Sequence, residues 1–430
     1  MSLSRACRSL PLLIWSSLPL YNPARFIRFF VVCLVANLFL IALLLRRQPA
    51  HHAPFEAPNS GLIVHGKVVT EAPTRLYPLD PFPESPMQLP ASGFEHNNQS
   101  NPWLAAVICA ADDFDKRMMI RSSWMRLFRD VPFDGRFVVS SPGPRWTEMV
   151  SIENRTFGDM IVLDHLHEDD VTANTIKTLE FYKWLVHHGK KYEFVSKMDT
   201  DLWLNARGFW DKFLAPRISK EAGHYKATIS RTVIGELYYS RSWDLVFPHG
   251  AMYTVTWDMA ELLVSLQSKF FVVTGEDMAV ATLMLKGKET ANFINLKGSE
   301  KFDYFDEDSR GDGTAWARKT THPSSTRHAL SGNDAIAVHE LKEKRLWFKV
   351  ADCFDEHGIK EATPSPEPEM TPSRSLRWSD FLYSMGLSGR FKSRFDRIPD
   401  FLWSFEDGSW ICDGIWNLGR TKTGFREEQQ

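Results

Sequence analysis

Residues 193–201 read Glu-Phe-Val-Ser-Lys-Met-Asp-Thr-Asp, a short apolar run that ends in two acidic residues one position apart. Such a run, bounded by polar residues, predicts a buried strand, and alternate residues of an extended segment face the same way. Asp199 and Asp201 therefore share a face at the carboxyl end of a strand, the edge at which open α/β sheets bind ligands. Two carboxylates placed there repel unless a cation joins them. A divalent ion such as Mn²⁺ or Mg²⁺, held by oxygens and bridging a diphosphate, removes that repulsion. Read alone, the pair also fits a solvated turn. Phosphatases of the Asp-x-Asp-x-Thr type place an acidic pair after a strand as well, but Trp203 stands where the threonine belongs.

Outward from this segment, short apolar runs alternate with helix-like stretches. Strands are expected at 104–110, 136–140, 159–163, 193–198, 224–230, 250–256 and 335–339, and helices at 116–128, 172–188, 257–266 and 277–285. Alternation of this kind predicts an α/β fold with a central, mostly parallel sheet covered on both faces. Residues 298–332 are polar and charged and read as an inserted loop. A proline-rich stretch at 361–375 sets off 376–420, which carries Trp378, Trp403, Trp410 and Trp416. Aromatics at this density are expected in a core, with a sugar-stacking wall as the alternative.

Three further groups carry chemistry. Gly275-Glu276-Asp277 precedes a helical segment, where an aspartate serves either as a helix cap or as an acceptor of a substrate proton. In a pocket beside Glu276, the Asp277 carboxyl is expected to titrate nearer neutrality. Upstream, Pro248-His249-Gly250 reads as a turn whose glycine allows close approach. His339 ends an apolar run and is either a hydrogen-bonded core residue or a metal ligand. Arg117 and Arg121, four apart on a helix, share a face that meets phosphate or solvent.

The chain has 430 residues, 43% hydrophobic and 24% charged, which excludes a disordered or collagen-like protein. A net charge of -2 gives no basic surplus for a nucleic-acid backbone, so no nucleic-acid partner is expected. Five cysteines without a Cys-x-x-Cys pair form neither a zinc site nor a disulfide framework. Residues 29–45 contain no charge and approach the length that spans a bilayer. Arg5, Arg8, Arg25 and Arg28 precede them and only Arg46 and Arg47 follow closely, so a cytosolic N-terminus and a lumenal body are expected. The organisation is then a cytosolic tail (1–25), a single signal-anchor helix (26–45), a proline-rich stem (46–102), a catalytic domain (103–350) and a C-terminal extension (351–430). Asn98-Gln99-Ser100 and Asn154-Arg155-Thr156 are glycosylation sequons in such a topology.

In order along the chain, RMMIRSSW (117–124), FGDMIVLD (157–164) with IKT (176–178), KMDTD (197–201), FPHGAMYTVTWD (247–258) and GEDMAVA (275–281) resemble glycosyltransferase family 31. This is the β-1,3-galactosyltransferase and Fringe-like group, and the resemblance is to its fungal-type branch. It covers roughly 103–350. It implies a GT-A-type nucleotide-sugar-binding fold, a UDP-sugar donor and inversion at the anomeric carbon. It also implies a Golgi type II membrane enzyme acting on a glycan, glycoprotein or glycolipid, with galactose favoured, N-acetylglucosamine next, and a β-1,3 linkage. By the same resemblance Asp201 and His339 bind Mn²⁺ (or Mg²⁺), with His322 and His328 competing for the histidine role. Asp199, Asp201, Arg121 and Glu276 hold the donor, and Asp277 is the general base. The chain departs from the family pattern at Thr200, Ser122-Ser123 and Ala281. A non-catalytic lumenal glycan-binding relative and a membrane-anchored phosphohydrolase are the alternatives.

Overall fold

The computed structural model describes residues 101–169, 172, 175–188, 191–221, 224–304, 330, 334–360, 378, 381, 385 and 394–422, with the backbone of 62–64 and 67–69. The expected anchor at 26–45, His322, His328 and most of the 298–332 loop lie outside these residues. Among the described residues no helix is long and apolar enough to cross a membrane.

The first half of the body comprises β1 (Trp103–Ile108), α1 (Phe114–Ile120), β2 (Phe133–Ser141), α2 (Gly143–Phe157), β3 (Met160–His167), α3 (Lys177–His188) and β4 (Phe194–Met198). Then follow β5 (Trp203–Leu204), β6 (Thr232–Ser240), β7 (Leu245–Thr256), α4 (Trp257–Phe270), α5 (Glu276–Gly287), β8 (Ala291–Asn295) and β9 (Lys301–Asp303). The chain closes with β10 (Ala337–His339), α6 (Lys344–Ala351), β11 (Trp403–Glu406), β12 (Ser409–Cys412) and β13 (Trp416–Gly419). Ten strands form one sheet in the order β11-β12-β13-β8-β6-β7-β4-β1-β2-β3, and β9-β10-β5 form a separate small sheet.

The apolar alternation of β1 fixes the layers. Trp103, Ala105 and Val107 face a cluster with Trp124, Phe128, Trp203 and Trp347, whereas Leu104 and Ala106 face Phe181, Leu185, Leu263 and Met284 of α3, α4 and α5. Both faces of the strand are thus covered, and period-2 side-chain direction puts successive residues into different cores.

The expected strands in the β1–β4 and β7 regions form, with their ends moved by a few residues. The sheet is mixed, however: β7 and β12 run against their neighbours, while the other strands share one direction. β7 runs antiparallel to both β6 and β4, while β4, β1, β2 and β3 run parallel. The cause is the short link between β6 and β7, which closes a hairpin and cannot make a parallel crossover. The strand expected at 224–230 shrinks to 224–227 and pairs only with 218–221, outside the main sheet. Its place is taken by β6, whose Gly235 and Glu236 break the apolar pattern. The helix expected at 116–128 is regular only to Ile120 and passes through a wider turn, with Ser123 at φ -108° and ψ -108°.

Residues 403–419, expected in an extension beyond the catalytic domain, add three strands to the catalytic sheet, where β13 pairs parallel with β8. Trp416 is fully buried and its Nε1 donates to the Val246 carbonyl at 2.8 Å. Trp403 and Trp410 are half-buried beneath the Lys422 ammonium, and Trp378 is exposed. The core expectation therefore holds fully for Trp416 alone. Cys109, Cys353 and Cys412 are free thiols.

Candidate active site

β4 delivers the acidic pair to the sheet edge. The Asp199 amide donates to the Ala251 carbonyl of β7 at 3.0 Å, so the strand pairing holds up to the first aspartate. The chain then turns into β5, which pairs antiparallel with β10, and the Leu341 amide donates to the Asp201 carbonyl at 3.0 Å. These pairings bring His339, at the end of β10, over Asp201. Its Nε2 lies 3.1 Å from Asp201 Oδ1 and 3.8 Å from Asp199 Oδ2. One ligand atom from each of Asp199, Asp201 and His339 lies within 4.8 Å of the others.

β9 lies parallel beside β10 and sets Asp303 opposite His339, with Oδ1 2.7 Å from His339 Nδ1. This contact fixes the ring and directs Nε2 at the two aspartates, the arrangement by which an outer carboxylate orients a metal-ligating histidine. Burial alone would lower the His339 pKa, but its hydrogen bonds to the Asp201 and Asp303 carboxylates push it up to about 9. Burial would likewise raise Asp201, and the His339 cation outweighs it and holds the carboxyl below its usual range. Two carboxylates and an oriented imidazole are an oxygen and nitrogen set that suits Mn²⁺. His339 is half-buried, hydrogen-bonded through Nδ1 and turned through Nε2 towards both aspartates, where it could serve as a ligand.

The second acidic pair opens α5. Gly275 occupies the N-cap and offers no side chain, so the capping role expected as an alternative for Asp277 falls away; Glu276 and Asp277 sit in the first turn. Glu276 accepts from Lys197 Nζ at 2.7 Å and from the Tyr253 hydroxyl at 3.1 Å. The Asp277 carboxyl lies directly against Gly250: a β-carbon there would sit 1.8 Å from Oδ1. Gly250 is accordingly a site of close approach inside β7, rather than the turn expected from the sequence, and the group that approaches is the Asp277 side chain. Burial, reinforced by the Glu276 charge, pushes the Asp277 pKa up to about 8. Burial opposes ionisation of Glu276 too, but the Lys197 ammonium prevails and holds it below the carboxylate range. The pair thus holds one proton near neutrality, on Asp277.

Lys197 joins the two clusters. Its ammonium donates to Asp199 at 2.9 Å, to Glu276 at 2.7 Å and to the Gly250 carbonyl at 2.6 Å. Burial favours the neutral amine, yet Asp199 and Glu276 keep it charged. The charge pattern then points to a dication. Lys197 balances Glu276, while Lys301 and Arg394 balance Glu236 and Asp303 through contacts such as Lys301–Glu236 at 2.9 Å. Lys197 is shared between Asp199 and Glu276, so once His339 is neutral an excess of negative charge remains at Asp199 and Asp201. Beside them a cavity of about 410 Å³ is lined by Lys197, Asp199, Trp243, Phe247, Glu276 and Asp277.

Five of the six expected site residues therefore converge. Arg121 does not join them: its guanidinium binds Asp159 at 2.7 Å and Glu153 at 2.7 Å, and lies over the rings of Phe137 and Phe157. Asp159 precedes β3, three strands from β4 in the sheet, or roughly 14 Å at the usual strand spacing. Arg117 is likewise consumed by Glu153. Both arginines meet buried carboxylates, a partner that helix spacing does not disclose. The sequence reading missed Asp303, Lys301 and Arg394. Asp303 and Lys301 fall in the segment read as an irregular loop, where a three-residue strand leaves no periodic signal.

A family model described as Galactosyltransferase matches residues 115–290. The chain is 25% identical over 270 residues to beta-1,3-galactosyltransferase 1 of Mus musculus and of Homo sapiens, covering 60% of this chain and 80% of each relative. Among solved structures it is similar to the galactosyltransferase LgtC in complex with donor and acceptor sugar analogs, at 9% identity and TM-score 0.35, over 58% of this chain and 95% of that one. It is also similar to mouse xyloside xylosyltransferase 1 in its apo form, at 10% identity and TM-score 0.28, over 55% and 96%. The family match spans KMDTD and GEDMAVA, the two motifs that build the site, and ends before His339. Residues 115–290 thus carry a galactosyltransferase-family match, which supports glycosyltransferase family 31, and the chain is a glycosyltransferase.

Proposed function

We propose that this chain is an inverting, metal-dependent enzyme of GT-A type that transfers a hexose from a UDP-sugar to a hydroxyl of a glycan, glycoprotein or glycolipid. Galactose is the favoured sugar and N-acetylglucosamine the next, with a β-1,3 linkage, in keeping with the relatives' names. The observation that carries the proposal is the Lys197 bridge, which holds the Asp199, Asp201 and His339 cluster beside a second carboxyl, Asp277, suited to take a proton.

Asp199, Asp201 and His339 would hold a divalent ion, which supplies charge neutralisation for the departing diphosphate. In its ionised form, Asp277 accepts the proton of the acceptor hydroxyl as that oxygen bonds to the anomeric carbon from the face opposite the leaving UDP. Glu276 stays ionised and raises the basicity of Asp277, while Lys197 holds both clusters in register. Phe247 and Trp243 form the apolar wall of the cavity. No enzyme nucleophile is needed.

Two features argue against the alternatives. Trp203 is buried in β5, so a phosphatase-type threonine has no counterpart there. A purely glycan-binding relative has no use for a second acidic pair whose Asp277 carboxyl lies against a bare glycine in the same cavity. We further place the enzyme in the Golgi membrane as a single-pass type II protein, anchored by residues 26–45 with its body lumenal; protease protection of residues 103–430 in sealed microsomes tests this. For the activity, full-length protein in detergent is incubated with a panel of UDP-sugars, with Mn²⁺ or with EDTA. Mn²⁺-dependent UDP release from one donor supports the proposal, and metal-independent release overturns it.

A further inference from the structure

We infer that Arg394 is a positioning residue for the Asp199, Asp201 and His339 cluster, acting through Asp303; this rests on the metal-dependent reading above. Arg394 lies beyond the proline-rich stretch and beyond residues 115–290, yet it is only 6% exposed. Its Nη1 donates to Glu236 Oε2 at 3.1 Å and its Nη2 to Asp303 Oδ2. The other Asp303 oxygen, Oδ1, is the one that holds His339 Nδ1 at 2.7 Å. The two oxygens of Asp303 are therefore held one by Arg394 and one by the histidine.

Several features set up this contact. β6 slips register between Gly235 and Leu237, and a bulge of this kind re-aims a side chain; Glu236 is left with no exposure at all. Lys301 and Asp303 are two apart on β9, so they share a face, and Lys301 donates to the same Glu236 oxygen at 2.9 Å and to His249 Nδ1 at 2.8 Å. Glu236 thus gathers both cations, and Arg394 reaches Asp303 with its other terminal nitrogen. A planar guanidinium spans two carboxylates at once, which a lysine ammonium does less well. Without it, Asp303 keeps one anchor only and the imidazole loses its fixed orientation. A segment outside the family match would in this way complete a site that the family motifs begin.

The test is Mn²⁺ binding to full-length protein in detergent, read from the free-ion electron paramagnetic resonance signal, for wild type, Asp201→Ala, Arg394→Met and Arg394→Lys. Loss of an outer-shell partner is expected to weaken Mn²⁺ by about 10- to 100-fold, with Arg394→Lys between Met and wild type. Turnover of Arg394→Met should recover at saturating Mn²⁺, and its thermal melting should remain cooperative. If Arg394→Met does not fold, the charge-balanced Arg394→Met/Glu236→Gln variant is read in its place, with the same expected loss. Wild-type Mn²⁺ affinity in a folded Arg394 variant, alongside lost affinity in Asp201→Ala, overturns the role of Arg394 and leaves the metal site standing. Unchanged affinity in Asp201→Ala overturns the metal reading itself, and this inference with it.

Discussion

The contact between Gly250 and Asp277 makes the substitution Gly250→Ala informative. Its added β-carbon would stand 1.8 Å from Asp277 Oδ1, 2.2 Å from Cγ and 2.5 Å from Oδ2. Both carboxyl oxygens and the carbon that bears them are in the way, so turning the carboxyl about its Cβ–Cγ bond does not clear the clash. Restoring an ordinary contact requires the carboxyl to retreat by about 1–1.5 Å, and a displacement of about 1 Å in a reacting group costs on the order of 100-fold in rate. Complete loss of a general base costs about 100- to 10,000-fold. The expected fall in kcat therefore lies in that range, or about 3–5 kcal/mol of transition-state stabilisation. Nothing in the substitution touches Asp201 or His339, so Mn²⁺-dependent UDP binding, measured by calorimetry, should persist. The assay compares UDP release by wild type, Gly250→Ala, Asp277→Asn and the double variant. Because both changes act on one carboxyl, the double variant should be no slower than Asp277→Asn alone. A Gly250→Ala enzyme that folds and turns over within about threefold of wild type, a difference of under about 1 kcal/mol, would refute the placement of Asp277 as the base.

Other consequences follow from the same structure. His339→Ala should lose Mn²⁺ affinity, and EDTA should abolish wild-type turnover until Mn²⁺ is returned. Turnover should rise with pH as Asp277 loses its proton near pH 8, and a rate that is flat from about pH 6 to 9 contradicts its role. The same raised pKa sets a stability trend. The folded state holds that proton more tightly than the unfolded chain, so stability declines as pH climbs from the ordinary aspartate range towards 8. Asp277→Asn removes this loss and should melt higher than wild type at about pH 9, with the gap closing towards about pH 5. Trp416→Ala, which empties a fully buried site and orphans the Val246 carbonyl, should lose about 3–5 kcal/mol of stability in denaturant titration, whereas Trp378→Ala, on the surface, should change it by under about 0.5 kcal/mol.

The parts of the site that were legible in the sequence are those on regular elements. Asp199 and Asp201 follow a clear apolar run, Glu276 and Asp277 open a clear helix, and His339 ends an apolar segment, so strand and helix periodicity locates all five. Their meeting depends on long-range pairings that no local pattern carries: β5 with β10, and β9 beside β10. Arg121 illustrates the opposite failure. Its helical spacing was read correctly as one face, but that face meets Glu153 of α2 and Asp159, two carboxylates whose burial depends on the arginines themselves. The mixed sheet escaped notice because β6 carries Gly235 and Glu236 where an uninterrupted strand pattern would be apolar, and the buried charge of Glu236 is intelligible only with Lys301 and Arg394 in place.

The central claim is that Asp201 serves the metal and Asp277 serves the proton on one donor molecule. The most direct measurement is Mn²⁺-dependent UDP binding and UDP-sugar turnover, side by side, in Asp201→Ala and Asp277→Asn. The account expects Asp201→Ala to lose both, and Asp277→Asn to bind UDP with Mn²⁺ as wild type does while its turnover falls by about 100-fold or more. Full turnover in Asp277→Asn, or undiminished Mn²⁺-dependent binding in Asp201→Ala, would contradict it.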